Sequence, residues 1–278
     1  MEQRSEEWFR LRRTKIGASD APIIMGVGFK TPLQLWEQKL GIGEDFQTTP
    51  AMQRGIDLES MILERFNKLM GRTFAPTVRV SEELPWAMAS LDGLCEETNE
   101  IVEIKCANLK DHQQAKCGFI PDKYYPQLQH QMFVCNLHEA YYCSYHDNDI
   151  TITKVARDTD YIKRMIIEES KFMHCLEVLD PPPMTDRDFG TLSSDLQDAA
   201  DELKQVMMTR RDLEKREAEL KKILSSSVDR PTKGYGIRIT KCVRKGSIDY
   251  ESIPQLIGVN LEQYRKAPCS YWTFGIEG

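Results

Sequence analysis

The chain has 278 residues, the length of one large domain or of a domain with an appendage. Hydrophobic residues make up 41% and charged residues 29%, which is typical of globular proteins and excludes a fibrous or mainly disordered chain. No apolar run approaches the roughly 18 residues of a membrane-spanning helix, and the charged start lacks the apolar core of a secretory signal. We therefore expect no membrane partner.

The formal charge of −6 hides a local difference along the chain. Residues 227–278 contain eight Lys and Arg against five Asp and Glu, a balance of +3. A second basic cluster, residues 10–15, lies near the start. Phosphate binding depends on local patches rather than on total charge, so the acidic total does not exclude a nucleic-acid partner.

The first part of the chain predicts helices. Ser5, followed by two glutamates, is a candidate N-cap for the first of them. Residues 16–26 predict a turn that leads into a short apolar helix, and residues 31–41 predict another helix that ends at a glycine. Apolar residues recur at helical spacing over residues 52–70, which predicts a longer helix.

From residue 73 the apolar period changes to two, which predicts strands. The predicted strands cover residues 74–80, 86–95, 100–107, 140–146 and 149–156. A predicted helix over residues 124–134 separates the third strand from the fourth, and a helix over residues 159–179 follows the fifth. This order is typical of an α/β domain in which a helix crosses over a central sheet.

The three prolines at residues 181–183 cannot continue a helix and predict a boundary between a domain, 1–180, and a C-terminal extension, 181–278. In the extension, nine positions from Leu196 to Leu224 alternate at spacings of three and four, and seven of them are apolar. This pattern predicts a long amphipathic helix. We favour packing of this helix across the first domain, with an oligomer contact or a helical hairpin as the alternative.

The last 50 or so residues predict a small basic unit. A strand pair is predicted around residues 234–250, followed by a short helix near Glu262. This unit and the long helix stand outside the predicted α/β domain, and residues 227–278 carry a net positive charge. We therefore expect the extension to bind duplex DNA or a partner protein.

Charged residues alternate with apolar ones where the second and third predicted strands meet. Glu103 and Lys105 stand two apart, so they share one face of a strand, with Ile104 buried behind them. The short loop before this strand predicts a hairpin that brings Asp92 beside Glu103. A divalent cation bound by the two carboxylates and by the carbonyl of Ile104 would remove the cost of burying them together. Lys105 would then hold or deprotonate a water aligned on a phosphorus atom.

The alternative for Glu103 and Lys105 is an exposed ion pair on a half-solvated strand. For the bare three-residue pattern this alternative is favoured, because Glu-x-Lys is common. The alternating Val102 and Ile104, and the preceding Asp92 at hairpin distance, favour the metal site instead.

Five segments of the chain contain charged or polar residues that are candidates for a functional site. They are residues 8–20 (WFRLRRTKIGASD), 54–59 (RGIDLE), 90–93 (SLDG), 103–106 (EIKC) and 125–131 (YPQLQHQ). Together they resemble the lambda-exonuclease-like, YqaJ-type viral recombinase branch of the PD-(D/E)XK nucleases, over roughly residues 8–155. The chain departs from the family at Leu91, where the family has a proline that is not a ligand.

The resemblance implies a role for each site residue. The implied catalytic residues are Asp92, Glu103 and Lys105, and the implied metal ligands are Glu59, Asp92, Glu103 and the carbonyl of Ile104. The implied contacts to the 5′ phosphate and DNA are Arg12, Ser19, Ser90 and Gln127. Without the resemblance, the pattern leaves ordinary alternatives. Arg12 would be a surface helix residue, Ser19 a helix cap and Glu59 a solvated acid. Gln127 and Gln129 would be polar-face residues of their helix.

The fold implied by the resemblance is a restriction-endonuclease-like α/β core with a mixed central sheet flanked by helices. A long C-terminal helix and a small α+β appendage would follow it. The implied activity is Mg²⁺-dependent 5′→3′ exonuclease action on duplex DNA ends in phage-type recombination, in the cytoplasm of a bacterial or phage-infected cell. The resemblance also implies two ions per site, with Mn²⁺ as an alternative metal. It further implies a single-strand annealing protein as partner and a homo-oligomer.

Two other functions stay open. The first is an endonuclease with the same fold and chemistry but no requirement for a DNA end. The second is a non-catalytic DNA-binding recombination scaffold, against which the intact set of Asp92, Glu103 and Lys105 argues.

Overall fold

The computed structural model describes residues 3–43 and 49–240 of the chain. The chain divides into two compact units, one ending at Phe189 and the other beginning at Gly190. The short helix near Glu262 and most of the strand pair predicted around residues 234–250 lie outside the described residues. The domain boundary at residue 180 stays a prediction. No helix in the described ranges is long and apolar enough to cross a membrane.

Helices and strands follow the predicted order. The helices are α1 (Glu6–Thr14), α2 (Ala21–Ile24), α3 (Pro32–Leu40), α4 (Pro50–Met70), α5 (Leu109–Lys116), α6 (Tyr125–Val134), α7 (Thr159–Val178) and α8 (Gln197–Ser226). The strands are β1 (Ile16–Gly17), β2 (Ala75–Val80), β3 (Ala87–Cys95), β4 (Glu100–Cys106), β5 (Glu139–His146), β6 (Asp149–Ala156), β7 (Thr232–Gly234) and β8 (Ile237–Ile239). The sequence interpretation missed α5 and β1.

Side-chain caps and glycines set the helix ends. The hydroxyl of Ser5 accepts a hydrogen bond from the N–H of Trp8 and begins α1, as predicted. Thr31 and Gln34 form a reciprocal capping box at the start of α3. Helices α3 and α4 both end at a glycine in the left-handed region, Gly41 and Gly71, where other residues are strained.

The first unit is built on a mixed sheet in the order β1-β3-β4-β5-β6, with β2 also paired to β3. Strand β3 pairs with β2 and β4 in antiparallel register, and β5 pairs with β6 in the same way. The pairs β1–β3 and β4–β5 are parallel. A parallel pair needs a crossover connection, which α5 and α6 supply between β4 and β5.

The two faces of the sheet pack against different helices. On one face, Leu91, Ile101 and Tyr142 of the strands join Leu128 of α6 and Met165 of α7 in the largest buried cluster. The opposite face packs against α4 in a second cluster, which includes Ile62, Phe66, Phe74, Ile104 and Tyr145. The predicted α/β core, a mixed central sheet flanked by helices, is therefore confirmed.

One edge of β3 is open in its middle. Strand β2 pairs with β3 from Met88 to Leu94, so β1 and β4 share the other edge. On that edge β1 pairs with Ala87 and Met88, and β4 pairs only from Gly93 onward. No described strand pairs with that edge of β3 over residues 89–92. The sheet thus opens beside Asp92.

A β-bulge lies at the same place. Thr77 and Ala75 of β2 pair with Leu91 and Leu94 of β3, so β3 uses one more residue than its partner here. Such a bulge bends the strand and redirects the side chains within it. Asp92 and Gly93 are the residues between the two pairing positions.

The second unit contains α8 and a β-hairpin. Helix α8 has 30 residues, about 45 Å of helix, and none of its side chains is buried. Apolar residues of the predicted seam, such as Leu203, Val206 and Leu213, are exposed. Strands β7 and β8 pair in antiparallel register through Tyr235 and Gly236, both of which have positive φ, as a tight type I′ hairpin requires. This hairpin overlaps only the start of the strand pair predicted around residues 234–250, most of which lies outside the described residues.

Candidate active site

Asp92 lies at the bulge, where β3 and β4 separate. Its Oδ2 accepts a hydrogen bond from the backbone N–H of Ile104 at 2.7 Å. The N–H and C=O of one strand residue point to the same side of the strand, as the exchanged pair of bonds in an antiparallel ladder shows. The carbonyl of Ile104 therefore faces the same opening as Asp92.

Glu103 is almost fully buried, with 2% of its surface exposed, and its carboxylate is held on both oxygens. Its Oε1 accepts a hydrogen bond from the Gln127 amide at 2.6 Å and lies 2.6 Å from Nζ of Lys105. Its Oε2 accepts a hydrogen bond from the amide of Gln131. Glu103 and Lys105 thus share a face as predicted, and Ile104 packs on the other face of the sheet against α4.

Gln131 is a site residue that the sequence interpretation did not select. It stands four residues after Gln127, and residues at this spacing lie on one face of a helix. That spacing was the available signal. Gln129, between them, faces away and bonds to the carbonyl of Ala156 and the N–H of Asp158.

The charges of the cluster shift the pKa values of Asp92 and Lys105. Burial, together with the nearby Glu103 and Glu59 carboxylates, raises the pKa of Asp92 well above its ordinary value. Burial alone would lower the pKa of Lys105, but Glu103 and Asp92 outweigh it and raise that pKa. Lys105 is therefore an ammonium that donates hydrogen bonds.

Glu59 reaches the cluster from α4. Its Oε2 lies 2.9 Å from the guanidinium of Arg4, a residue that the sequence interpretation did not select. The segment before α1 is anchored next to Asp92, because the Gln3 side chain donates to the carbonyl of Leu91 at 2.9 Å and to that of Thr77 at 3.2 Å. Electrostatic repulsion from Glu59 is one of the smaller causes of the raised pKa of Asp92.

The cluster has the donors for a divalent cation. In the described ranges no three His, Cys, Asp or Glu side chains converge as a formed metal centre. Glu103 is bound to two glutamines and to Lys105, and Glu59 pairs with Arg4. Asp92 forms no ion pair with a described residue, which leaves three carboxylates against the two cations Lys105 and Arg4. An additional cation would balance this charge, and hard oxygen donors of this kind suit Mg²⁺. The predicted ligands Glu59, Asp92, Glu103 and Ile104 therefore fit such an ion.

Arg12 and Ser19 lie side by side in a second group, which we call the anion pocket together with Asp20 and Lys39. The guanidinium of Arg12 donates to the Ser19 hydroxyl at 2.8 Å and lies 3.3 Å from Asp20. Burial would raise the pKa of Asp20, but Lys39 and Arg12 hold it below its ordinary value. Two cations against one carboxylate leave a positive charge beside the exposed Ser19.

Buried Lys39 holds the anion pocket together, and the sequence interpretation did not select it. Its ammonium lies 2.7 Å from Oδ2 of Asp20 and donates to the carbonyls of Arg12 and Lys15 at 2.9 and 2.7 Å. The three contacts tie the end of α1, which carries Arg12, to Asp20, which follows Ser19 after β1. Its sequence position on α3 gave no signal of this contact.

Trp8 connects the anion pocket to the carboxylate cluster. The Arg12 guanidinium lies over the Trp8 ring, 4.8 Å from its centroid. The indole N–H donates to the hydroxyl of Ser90 at 2.8 Å, and Ser90 precedes Asp92 by two residues on β3. The structure therefore brings all the predicted site residues into two groups, which the Trp8 side chain joins. The carboxylate cluster contains Asp92, Glu103, Lys105, Glu59, Ile104 and Gln127. The anion pocket contains Arg12 and Ser19, and Ser90 lies at the junction.

The two groups lie within one stretch of sequence that matches a known family. Residues 7–138 match the model of the YqaJ-like viral recombinase domain. This match confirms the resemblance that the five segments indicate. Every predicted site residue lies inside the YqaJ-like region.

Individual relatives agree with this match. The chain is 28% identical over 178 residues to the uncharacterized protein YqaJ of Bacillus subtilis (strain 168). That similarity covers 62% of this chain and 56% of the Bacillus protein, so the chain spans about half the length of the curated relative.

Solved structures show the same fold. An alkaline exonuclease from Laribacter hongkongensis is 27% identical, with a TM-score of 0.55 over 63% of this chain and 94% of the exonuclease. The same exonuclease in complex with dAMP superposes over the same shares, with a TM-score of 0.56. The YqaJ-like region of this chain therefore has the α/β fold of PD-(D/E)XK exonucleases.

Proposed function

We propose that the chain is a metal-dependent exodeoxyribonuclease that hydrolyses duplex DNA from 5′ ends with Mg²⁺. The observation that carries this proposal is the convergence of Asp92, Glu103 and Lys105 where the sheet opens, linked through Trp8 to the anion pocket. A set of carboxylates with an ammonium suits phosphodiester hydrolysis, and a neighbouring anion pocket suits a terminal phosphate. The similarity to an exonuclease solved with dAMP supports the same reaction.

In this proposal Asp92, Glu103, the carbonyl of Ile104 and Glu59 hold the metal, and we expect two ions per site. When bound, the ions supply positive charge that stabilises the negative charge developing around phosphorus. Gln127 and Gln131 orient Glu103, because their amides donate to its two oxygens. Mn²⁺ can replace Mg²⁺ in such oxygen sites.

Lys105 orients the attacking water in the proposed reaction. Its ammonium is held 2.6 Å from Glu103 and over the Tyr124 ring, 5.3 Å from the ring centroid. An ammonium donates hydrogen bonds and carries positive charge, so Lys105 can hold a water or a phosphate oxygen in place.

Arg12 and Ser19 recognise the 5′ phosphate in the proposal, with help from Ser90. The guanidinium and hydroxyl are donors, and the pocket around Asp20 keeps a net positive charge. Ser90 already accepts a hydrogen bond from Trp8, and a hydroxyl can donate one as well. Recognition of an end phosphate is what favours an exonuclease over an endonuclease here.

The test uses linear duplex DNA with a 5′ phosphate and a label on one strand, next to covalently closed circles. Wild type, Lys105→Ala and Lys163→Ala are compared with Mg²⁺ and with Mn²⁺. Lys163 is a matched lysine on α7, paired with Asp160 and far more exposed. We expect degradation from the 5′ end by wild type and Lys163→Ala, loss by at least about a hundredfold in Lys105→Ala, and intact circles.

Other outcomes would select a different function. Nicked circles would favour the endonuclease of the same fold. Binding without hydrolysis under either metal would favour the DNA-binding scaffold and contradict the proposal. The proposal also includes a single-strand annealing protein as partner and a homo-oligomer as the active form. Its setting is phage-type recombination in the cytoplasm of a bacterial or phage-infected cell.

A further inference from the structure

Residues 26–30, which we call the aromatic loop, present a phenylalanine to solvent between α2 and α3. Phe29 is 79% exposed, more than any other described phenylalanine. Single exposed apolar residues are common on protein surfaces, so exposure alone indicates nothing. Here, however, the hydrogen bonds and packing of the loop backbone keep Phe29 exposed.

Four hydrogen bonds fix the backbone of the aromatic loop. The N–H groups of Val27 and Gly28 both donate to the carbonyl of Pro22, at 2.9 and 2.7 Å. The guanidinium of Arg187 donates to the carbonyls of Gly28 and Phe29, at 3.1 and 2.7 Å. Phe29 is therefore exposed by a fixed backbone and cannot fold back onto the core without breaking these bonds.

Close packing of Gly28 holds the loop against α2. A Cβ at Gly28 would lie 2.7 Å from Cγ1 and 2.8 Å from Cα of Ile23, closer than real contacts allow. Immediately after Phe29 and Lys30, Thr31 caps α3. The loop is thus fixed at both ends, which is the arrangement expected of a residue presented to a ligand.

Neighbouring side chains connect Phe29 to both groups of the candidate active site. The ammonium of Lys123 is 5.6 Å from the Phe29 ring centroid and 4.9 Å from that of Tyr124. Lys105 in turn lies 5.3 Å from the Tyr124 ring. On the other side, the loop packs through Gly28 on Ile23 of α2, the helix whose N-cap residue is Asp20 of the anion pocket.

We propose that Phe29 is a stacking surface for a nucleobase of the DNA strand whose phosphates occupy the anion pocket and the carboxylate cluster. This inference rests on the proposed nuclease function. A strand with phosphates on Arg12 and Lys105 carries its bases close by, and an aromatic ring with adjacent cations is the usual platform for an unpaired base. Any base can stack, so Phe29 contributes affinity and positioning without sequence preference.

The experiment measures binding without hydrolysis. Short duplexes carry 2-aminopurine at the first, second or third nucleotide of the 5′-phosphorylated strand, and are titrated with protein in EDTA. Wild type is compared with Phe29→Ala, Phe29→Leu, Phe29→Trp and Leu69→Ala. Leu69 is a matched exposed apolar residue, 64% exposed, at the far end of α4.

We expect wild type, Phe29→Trp and Leu69→Ala to quench the 2-aminopurine fluorescence at one of the three positions. Phe29→Ala and Phe29→Leu should lose this quenching and bind on the order of tenfold more weakly, because neither retains an aromatic face. Matching thermal unfolding curves would show that the variants are folded.

Unchanged affinity and quenching in Phe29→Ala, or no quenching by wild type at any position, would overturn the inference. Retained affinity in Phe29→Leu would indicate an apolar contact rather than stacking and would overturn it as well. Failure of the proposed function looks different: wild type would quench in EDTA but cleave no DNA when Mg²⁺ is added.

Discussion

Asp92 is the carboxylate of the cluster that no described cation pairs with, although Glu103 and Glu59 lie nearby. A buried charge among like charges destabilises the fold and persists where function needs it. We therefore predict that Asp92→Asn abolishes hydrolysis yet raises the free energy of unfolding in EDTA by about 1 kcal/mol or more. Chemical denaturation with and without Mg²⁺ checks this, and the stabilisation of wild type by Mg²⁺ should be absent from the variant. A less stable Asp92→Asn would contradict the charge argument.

Gln131 and Gln129 stand two residues apart on α6, and we expect Gln131 to support metal binding and Gln129 to support stability. Gln131→Leu removes a donor to Glu103, so we expect metal affinity and hydrolysis to fall about tenfold or more. Gln129→Leu removes bonds to Ala156 and Asp158, so it should lower stability and leave metal affinity unchanged. Calorimetric titration with Mn²⁺, together with thermal unfolding, separates the two. Equal effects on metal affinity would be incompatible with this division.

The part of the carboxylate cluster formed by Asp92, Glu103 and Lys105 could be predicted because its geometry is local. Glu103 and Lys105 share a strand face, and a short hairpin brings Asp92 to them. Glu59 and Gln127, by contrast, were predicted only through the family resemblance. Arg4 and Lys39 reach the site only through contacts between elements distant in sequence. Neither residue type nor spacing marks such contacts, so the sequence did not indicate them.

At the scale of single elements, the bulge in β3 depends on Gly93. A Cβ there would lie 2.8 Å from Cγ1 of Val102 and 2.9 Å from Cβ of Phe74. We predict that Gly93→Ala lowers the free energy of unfolding by about 1–3 kcal/mol and reduces hydrolysis, because the strand that carries Asp92 must move. Gly55→Ala on α4 is the control: nothing lies within 4 Å, so it should stabilise by roughly 1 kcal/mol. Urea denaturation of both variants provides the comparison, and equal effects would refute the steric explanation.

Helix α6 is tied to α7 and β3 by a buried pair, His130 and Glu169, both fully buried. His130 lies 2.7 Å from the Glu169 carboxylate and 3.1 Å from the carbonyl of Met88. Burial alone would lower the pKa of His130, but Glu169, the bond to Met88 and the more distant Asp20 raise it. Because folding raises this pKa, protonated His130 stabilises the folded state. This stabilisation is complete below the ordinary histidine pKa and is lost as pH rises through the raised value.

We therefore predict that the free energy of unfolding of wild type declines as pH rises through the raised pKa of His130. Glu169→Gln removes the carboxylate that raises this pKa, so the decline should shrink or disappear, and stability at neutral pH should fall by about 3 kcal/mol. Urea denaturation between pH 6 and roughly 9 measures both effects. The same pH profile in wild type and Glu169→Gln would count against the pair as the cause.

Most elements could be predicted because apolar periodicity and caps fix them locally. Helix α5 was missed since its sequence, LKDHQQAK, has little apolar periodicity, although Asn108 caps it with a hydrogen bond to the N–H of Asp111. Strand β1 was missed because it has two residues and exists only through its pairing with β3. Periodicity cannot reveal a strand this short.

For the molecule as a whole, the unit ending at Phe189 contains both groups of the candidate site. We predict that a fragment of residues 1–189 folds, unfolds cooperatively and retains hydrolysis of linear DNA. If the extension grips duplex or docks a partner, the fragment should also bind DNA more weakly, with a shallower dependence on salt, or change its oligomeric state. DNA titrations at several salt concentrations and light scattering test this. Unchanged affinity, salt dependence and oligomeric state would leave the extension without the expected role.

The pairing of β1 with β3 has a consequence for protein synthesis. Ile16 and Gly17 pair with Ala87 and Met88, so the strand that separates Arg12 from Ser19 acquires its partner only after some 70 further residues have been translated. The donors that hold Glu103 come later still, on α6. A ribosome-bound chain that stops before α6 therefore lacks part of its cleft, and we expect arrested nascent chains of about 120 residues to be protease-sensitive and inert toward DNA. The topology thereby delays the proposed DNA-cleaving capacity until α6 has been synthesised.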